Sequence, residues 1–206
     1  MERLSKRQRI HADYQRLHEL AHSLDLVDES ARIFIRGVVH LSQPDSGHID
    51  TISVEITFPD DYPKREPKIH ETGGRFEPDC KRHINSVDRT FCLWIPEESK
   101  WNWKDPDAIL TWFNEVIIFL DKQLIYEVVR EWTGPQRRHG DEGRIDYLME
   151  RTGCDEFSAR LALTLSREGR GTIERQTNCP CESGRTWDKC HRRAAVLAMT
   201  LISADA

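Results

Sequence analysis

The sequence predicts an α+β core followed by a small metal-binding appendage, on three observations. Apolar residues recur at helical steps at both ends of the first 130 residues, first at Ile10, Tyr14, Leu17, Ala21 and Leu24. The second such face comprises Ile109, Leu110, Phe113, Val116, Ile117, Leu120 and Leu124. Between these faces lie β-branched, alternating runs, the signature of strands with one buried side. Near the end of the chain, Cys179, Cys181, Cys190 and His191 crowd together.

The elements follow in order. Residues 3–24 form an amphipathic helix with a charged outer face, and the stretch 25–30 breaks its period. Residues 31–42 and 48–58 are two antiparallel strands, joined by turn chemistry at Gln43-Pro44-Asp45-Ser46-Gly47. The prolines of residues 59–67 remove ladder donors and end the second strand; residues 68–71 supply a short third one. A long helix occupies residues 105–130, with Asp105 as its N-cap and Pro106 at its first position. Residues 133–143 read as a polar linker, residues 144–167 as a shorter helix interrupted at Gly153, and 194–202 as a small apolar tail.

Composition narrows the function classes. A mean hydropathy of −0.65 and the absence of an apolar run near ~18 residues predict no transmembrane span. The basic start, Met1 to Arg7, leads into no apolar segment, so no secretory leader is read and a cytoplasmic location is expected. A formal net charge of −5 argues against nucleic acid as a partner. The basic clusters Lys6-Arg7-Gln8-Arg9 and Arg137-Arg138-His139 read as solvated faces.

Residues 72–104 have no regular period, and a segment of that length without secondary structure inside a compact domain is usually functional. It carries His83-Ile84-Asn85, then Cys92-Leu93, then tryptophans at 94, 101 and 103. Carrying an acyl group as a thioester needs an accessible thiol that apolar burial has not pushed out of its ionisable range. Transfer to a nucleophile puts negative charge on a carbonyl oxygen, which a fixed amide donor stabilises. The order helix, meander, Phe58-Pro59-Asp60-Asp61-Tyr62-Pro63, Glu66-Pro67, His83-Ile84-Asn85, Cys92-Leu93, Trp101 or Trp103, helix resembles the ubiquitin-conjugating enzyme family over about residues 1–130. The resemblance implies a ubiquitin-conjugating-like fold with Cys92 as the thioester nucleophile. It further implies Asn85 as the oxyanion donor, and His83 as a residue that holds the loop by hydrogen bonds. Ile84 stands where the family's motif has proline, and the step from Asn85 to Cys92 is one residue shorter than the common eukaryotic spacing. Such loosened motifs are familiar among bacterial members.

Cys80, beside Lys81, is the rival nucleophile, since a neighbouring ammonium lowers a thiol's pKa; it lacks the Cys-Leu context and reads as a loop thiol. Cys154 reads as a partly buried, inert one. Phe58 to Pro67 read as a turn leading off the sheet, and Trp101 and Trp103 as packing residues walling the thiol's cleft.

Cys179, Cys181, Cys190 and His191 have the form Cys-x-Cys-x8-Cys-His, which closely resembles the SEC-C motif of the SecA translocase and many bacterial proteins. Three thiolates and one imidazole make a closed tetrahedral set, suited to structural zinc and leaving no open position for catalysis. Ser183-Gly184 allows the turn between its halves.

The expected organisation is a conjugating core over residues 1–132, a linker and helical extension over 133–175, a zinc knuckle over 176–193 and a tail over 194–206. The resemblances imply a bacterial transferase that passes a protein C-terminus from Cys92 to an amine-bearing acceptor. Bacterial enzymes of this type commonly accompany antiphage systems, notably CBASS operons. The donor would be a ubiquitin-like protein or the C-terminus of the nucleotidyltransferase. No Gly-rich nucleotide loop is present, so adenylation of the donor must occur elsewhere, with a separate activating enzyme as a candidate partner. A non-catalytic binding module of the same fold, and a zinc-knuckle adaptor, are the alternatives; retention of Cys92 favours the enzyme.

Overall fold

The computed structural model describes residues 5–42, 47, 49–134, 136–169 and 173–204, with the side chains of 203 and 204 excluded. The expected turn at Gln43–Gly47 lies outside the described residues except for Gly47. The chain divides into two units, one drawn from Met1–Leu93 and Lys100–Gly134, the other from Trp94–Ser99 and Pro135–Ala206.

In the first unit, α1 spans Lys6–Leu20. Ser5 caps it reciprocally: its hydroxyl accepts from the Gln8 amide, while the Gln8 side chain accepts from the Ser5 amide. Ile10 and Leu17 are fully buried. Between them Asp13 is buried too, its carboxylate taking hydrogen bonds from Arg9 Nε at 2.7 Å and from the Tyr62 hydroxyl. Burial, followed by the Asp13 charge, pushes the Tyr62 phenol well above its ordinary pKa. Tyr62 is thereby locked as a neutral donor, which pins the Pro-rich turn after the sheet to α1.

Among the described residues four strands, not three, form an antiparallel meander in chain order: β1 Leu24–Asp28, β2 Ile33–Ser42, β3 Ile49–Thr57 and β4 Lys68–Glu71. The stretch read as a break after the first helix is therefore the edge strand β1, paired with β2 from Leu24↔Gly37 to Asp28↔Ile33. Gly37 is required at that crossing, because a Cβ there would lie 2.0 Å from the carbonyl oxygen of Ser23. The pairs Ile35↔Ile56 and Val39↔Ile52, continued by Ile56↔Ile69, put one buried apolar row across the sheet.

The long helix α2 spans Ala108–Val129. It begins later than the sequence predicts. Asp107 holds the N-cap position without a side-chain bond, and the Asp105 carboxylate instead accepts from the Asp107 amide at 2.9 Å in a local turn. Ile109, Trp112, Phe113, Val116, Phe119, Leu120 and Leu124 are its buried apolar face.

In the second unit, α3 Asp141–Thr152, α4 Glu156–Arg167 and α5 Arg192–Ala204 share a core of Ile145, Leu148, Cys154, Ala159, Ala162, Leu163 and Ala198. The helix read as interrupted at Gly153 is two helices. Gly153 ends α3 at φ +67° and Asp155 caps α4, accepting from the Ser158 amide at 2.8 Å. α3 starts at Asp141, inside the stretch read as linker. Three small residues, Ala159, Ala162 and Ala198, are fully buried and let α4 and α5 approach closely. Residues 94–99 are held within this unit: Glu97, buried, pairs with Arg144 of α3 (Nε to carboxylate 2.7 Å), and Arg137 forks onto Glu98 at 2.7 and 2.9 Å. Among the described residues no helix is long and apolar enough to cross a membrane.

Candidate functional site

The irregular segment is ordered by a short hairpin. Asp79 starts a single helical turn at Cys80–Arg82, its carboxylate accepting from the Lys81 amide at 2.9 Å. His83 ends that turn in the left-handed region, φ +54°. From there residues 83–85 pair with 90–92. The Cys92 amide donates to the His83 carbonyl at 2.8 Å, Ile84 bridges Phe91, and the Asn85 amide donates to the Thr90 carbonyl at 2.9 Å. Arg89, at φ +59°, donates back to the Asn85 carbonyl and closes the turn. Residues 90–92 lie between 83–85 and the sheet and dock on the edge of β4, with the Phe91 amide on the Ile69 carbonyl at 2.9 Å.

Alternation then sorts the side chains. Ile84 and Phe91 are buried, Phe91 stacked on Phe119 of α2 with ring centroids 4.6 Å apart; Asn85 and Cys92 are exposed. The structure thus brings Cys92, Asn85 and His83 into one hairpin, Cys92 directly opposite His83. Asn85 Oδ1 accepts from the Val87 amide at 2.8 Å, which settles the orientation of the carboxamide and directs its NH₂ away from that turn. The His83 ring packs on Trp132, centroids 4.4 Å apart, and Trp132 in turn meets Phe119.

The charge around the thiol comes from residues the sequence reading passed over. Asp88 accepts from the Thr90 hydroxyl at 2.6 Å and pairs with Lys68 at 3.0 Å. Although partial desolvation opposes it, these bonds hold the Asp88 carboxyl below its usual range. Desolvation, and after it the Asp88 charge, push the Cys92 thiol up, while the Lys68 ammonium pulls the other way. Cys92 is therefore accessible, as expected, yet its pKa is raised. Cys80 is also exposed and Cys154 is buried. Trp101 packs on Tyr62 (5.9 Å) and donates from Nε1 to the Pro63 carbonyl at 2.8 Å, so it braces the turn off the sheet.

The second cluster lies in the other unit. Cys179, Cys181, Cys190 and His191 place their ligand atoms within 4.8 Å of one another. His191 Nδ1 is 3.3 Å from Cys179 Sγ and 3.2 Å from Cys190 Sγ, and Cys181 Sγ is 3.5 Å from Cys190 Sγ. Ligand atoms of a tetrahedral zinc ion lie roughly 3.5–3.8 Å apart, so these three separations are at or slightly below that spacing. The fold prepares the cluster: Asn178 bridges Thr186, and Gly184 turns at φ +73°. Trp187 and Ala195 are buried beneath it with Cys179. Hydrogen bonds from Ser183 push the Cys181 thiol down to about 6, toward the thiolate that a metal requires. The four residues could hold a metal ion such as zinc.

Residues 26–134, more than half of the 206, match the family described as the prokaryotic E2 domain. No curated protein matches the chain. Among solved structures, the yeast vps23 UEV domain in complex with a vps27 PSDP peptide is similar at 17% identity, over 64% of this chain and 85% of that one, with a TM-score of 0.38. The helix, antiparallel meander, cysteine-bearing hairpin and long helix make an α+β, ubiquitin-conjugating-like fold, and the chain belongs to the prokaryotic E2 domain family.

Proposed function

We propose that this protein carries the activated C-terminal carboxylate of another protein as a thioester on Cys92 and passes it to an amine. The observation that carries the reading is the hairpin itself, which holds an exposed Cys92 across from His83, with Asn85 on the same exposed side. In the loading step the Cys92 sulfur attacks the donor carbonyl, an S–C bond forms, the bond to the activating group breaks, and the thiol proton leaves to solvent. In the transfer step the acceptor nitrogen attacks the thioester, C–N forms and C–S breaks. The sulfur leaves as thiolate and takes up a proton, while the amine loses one.

Each residue has a role in this reading. Asn85, whose oxygen is committed to Val87, offers its NH₂ to the developing oxyanion. His83 acts through its carbonyl, which fixes the Cys92 amide, and through its ring on Trp132; it is a positioning residue rather than a base.

The donor is a ubiquitin-like protein or a nucleotidyltransferase C-terminus activated by a separate enzyme, and the acceptor is an amine-bearing protein. The setting is bacterial antiviral defence of the CBASS type. A reducing cytoplasm suits a working thiol and a three-thiolate metal set. The organisation proposed is a conjugating core over 1–132, a linker and extension over 133–175, a structural zinc knuckle on Cys179, Cys181, Cys190 and His191 over 176–193, and a closing segment over 194–206.

Incubation with the activated donor tests this. Wild type should form an adduct that dithiothreitol removes, and Cys92→Ser an oxyester that resists it. Asn85→Ala should load but discharge to amines about 10²–10³-fold more slowly. An adduct on neither wild type nor Cys92→Ser, or an Asn85→Ala discharge rate equal to wild type, would overturn the corresponding assignment.

A further inference from the structure

The Cys-x-Cys-x8-Cys-His pattern ends at residue 191, but the geometry of the cluster does not. His191 turns Nδ1 toward Cys179 and Cys190, and its other nitrogen, Nε2, lies 3.2 Å from a carboxylate oxygen of Asp155. Asp155 is the N-cap of α4, and its other carboxylate oxygen accepts from the Ser158 amide at 2.8 Å. Within the first turn of the same helix, Phe157 packs on the His191 ring, with centroids 4.7 Å apart. The start of α4 thus grips the imidazole both by its free nitrogen and by its face. All of these residues belong to the second unit.

We propose that Asp155 is the outer positioning residue of the metal cluster, fixing His191 as an Nδ1 ligand and tying metal occupancy to the first turn of α4. The inference rests on the reading of the cluster as a zinc site. An imidazole can ligate through only one nitrogen while the other keeps its proton, so a carboxylate accepting from Nε2–H selects the tautomer whose lone pair is on Nδ1. It also holds the ring plane where the sulfurs need it and makes the imidazole a stronger donor. Because the same carboxylate caps α4, the short loop of ligands is fastened to the helix by two bonds from one side chain. A bare Cys-Cys-Cys-His loop would lack that anchor.

Two variants separate a role toward His191 from helix capping alone. Serine is as good an N-cap as aspartate but is too short to reach His191. Asparagine keeps the cap with its one oxygen and presents NH₂, a second donor, to Nε2–H. Zinc affinity of the purified full chain is measured by competition with a chromophoric chelator, helix content by circular dichroism, and the His191 side chain by ¹H–¹⁵N spectra of the zinc-loaded protein. Asp155→Ser and Asp155→Asn should each lose about tenfold in zinc affinity, the lower end of the range for such partners because Asp155 is exposed. Helix content should match wild type, and the downfield, slowly exchanging Nε2–H resonance of His191 seen in wild type should be lost. Wild-type affinity and an unchanged Nε2–H resonance in Asp155→Ser would overturn the role of Asp155. Failure of the wild-type chain to bind zinc at all would instead overturn the metal reading beneath it.

Discussion

At the scale of single residues, Cys92 is exposed but not activated: partial desolvation and the Asp88 charge both raise its pKa, and Lys68 opposes them. A thiol so placed is quiet toward stray electrophiles and, once ionised, is a strong nucleophile. The sign of each neighbour's effect is testable. Asp88→Asn removes a negative charge that disfavours the thiolate, so the Cys92 pKa should fall and alkylation by iodoacetamide, followed against pH, should speed up below that pKa. Asparagine can still accept from Thr90, which keeps the turn. Lys68→Met removes the opposing charge and should shift the profile the other way; movement of both variants in one direction would contradict the arrangement. Cys92, His83 and Asn85 were legible in the sequence because they sit close together in an ordered motif. Lys68 and Asp88 were not, because β4 and a turn bring them to the thiol only on folding; nor was Trp132, which follows α2 and reaches the His83 ring.

At the scale of elements, the long helix and the two central strands follow from period alone, while the boundaries follow from side chains that no period reveals. β1 escaped notice because Asp25 and Asp28 break up a five-residue run, and charge on an edge strand is what keeps it from pairing with other chains. α2 starts at Ala108 because Asp105 spends its carboxylate on a turn. Residues 94–99, which belong to the second unit, have their own test. Glu97 is 5% exposed and its charge is answered by Arg144 of α3. Arg144→Met strips that buried carboxylate of its hydrogen-bonded cation, at a cost of up to about 3–5 kcal/mol. Thermal unfolding should show a large loss in Arg144→Met, relieved when Glu97→Gln is added. Equal stability of Arg144→Met and wild type would mean that the pair does not hold residues 94–99.

At the scale of the whole molecule, the chain joins a unit of the prokaryotic E2 domain family to a helical unit whose Cys179, Cys181, Cys190 and His191 could hold a metal ion, and each unit buries apolar residues of its own. The Cys-x-Cys-x8-Cys-His motif was visible as spacing. Asp155 was not, because α4 and α5 fold back to bring the helix start to His191. The central claim is that, of the cysteines outside the metal cluster, Cys92 bears the acyl group. Intact-mass analysis of wild type and of Cys80→Ser, Cys92→Ala and Cys154→Ser after exposure to the activated donor tests it most directly. The donor's mass should be retained, in a form that hydroxylamine cleaves, on wild type, Cys80→Ser and Cys154→Ser, and lost from Cys92→Ala. An adduct that survives in Cys92→Ala and disappears in Cys80→Ser would contradict the account.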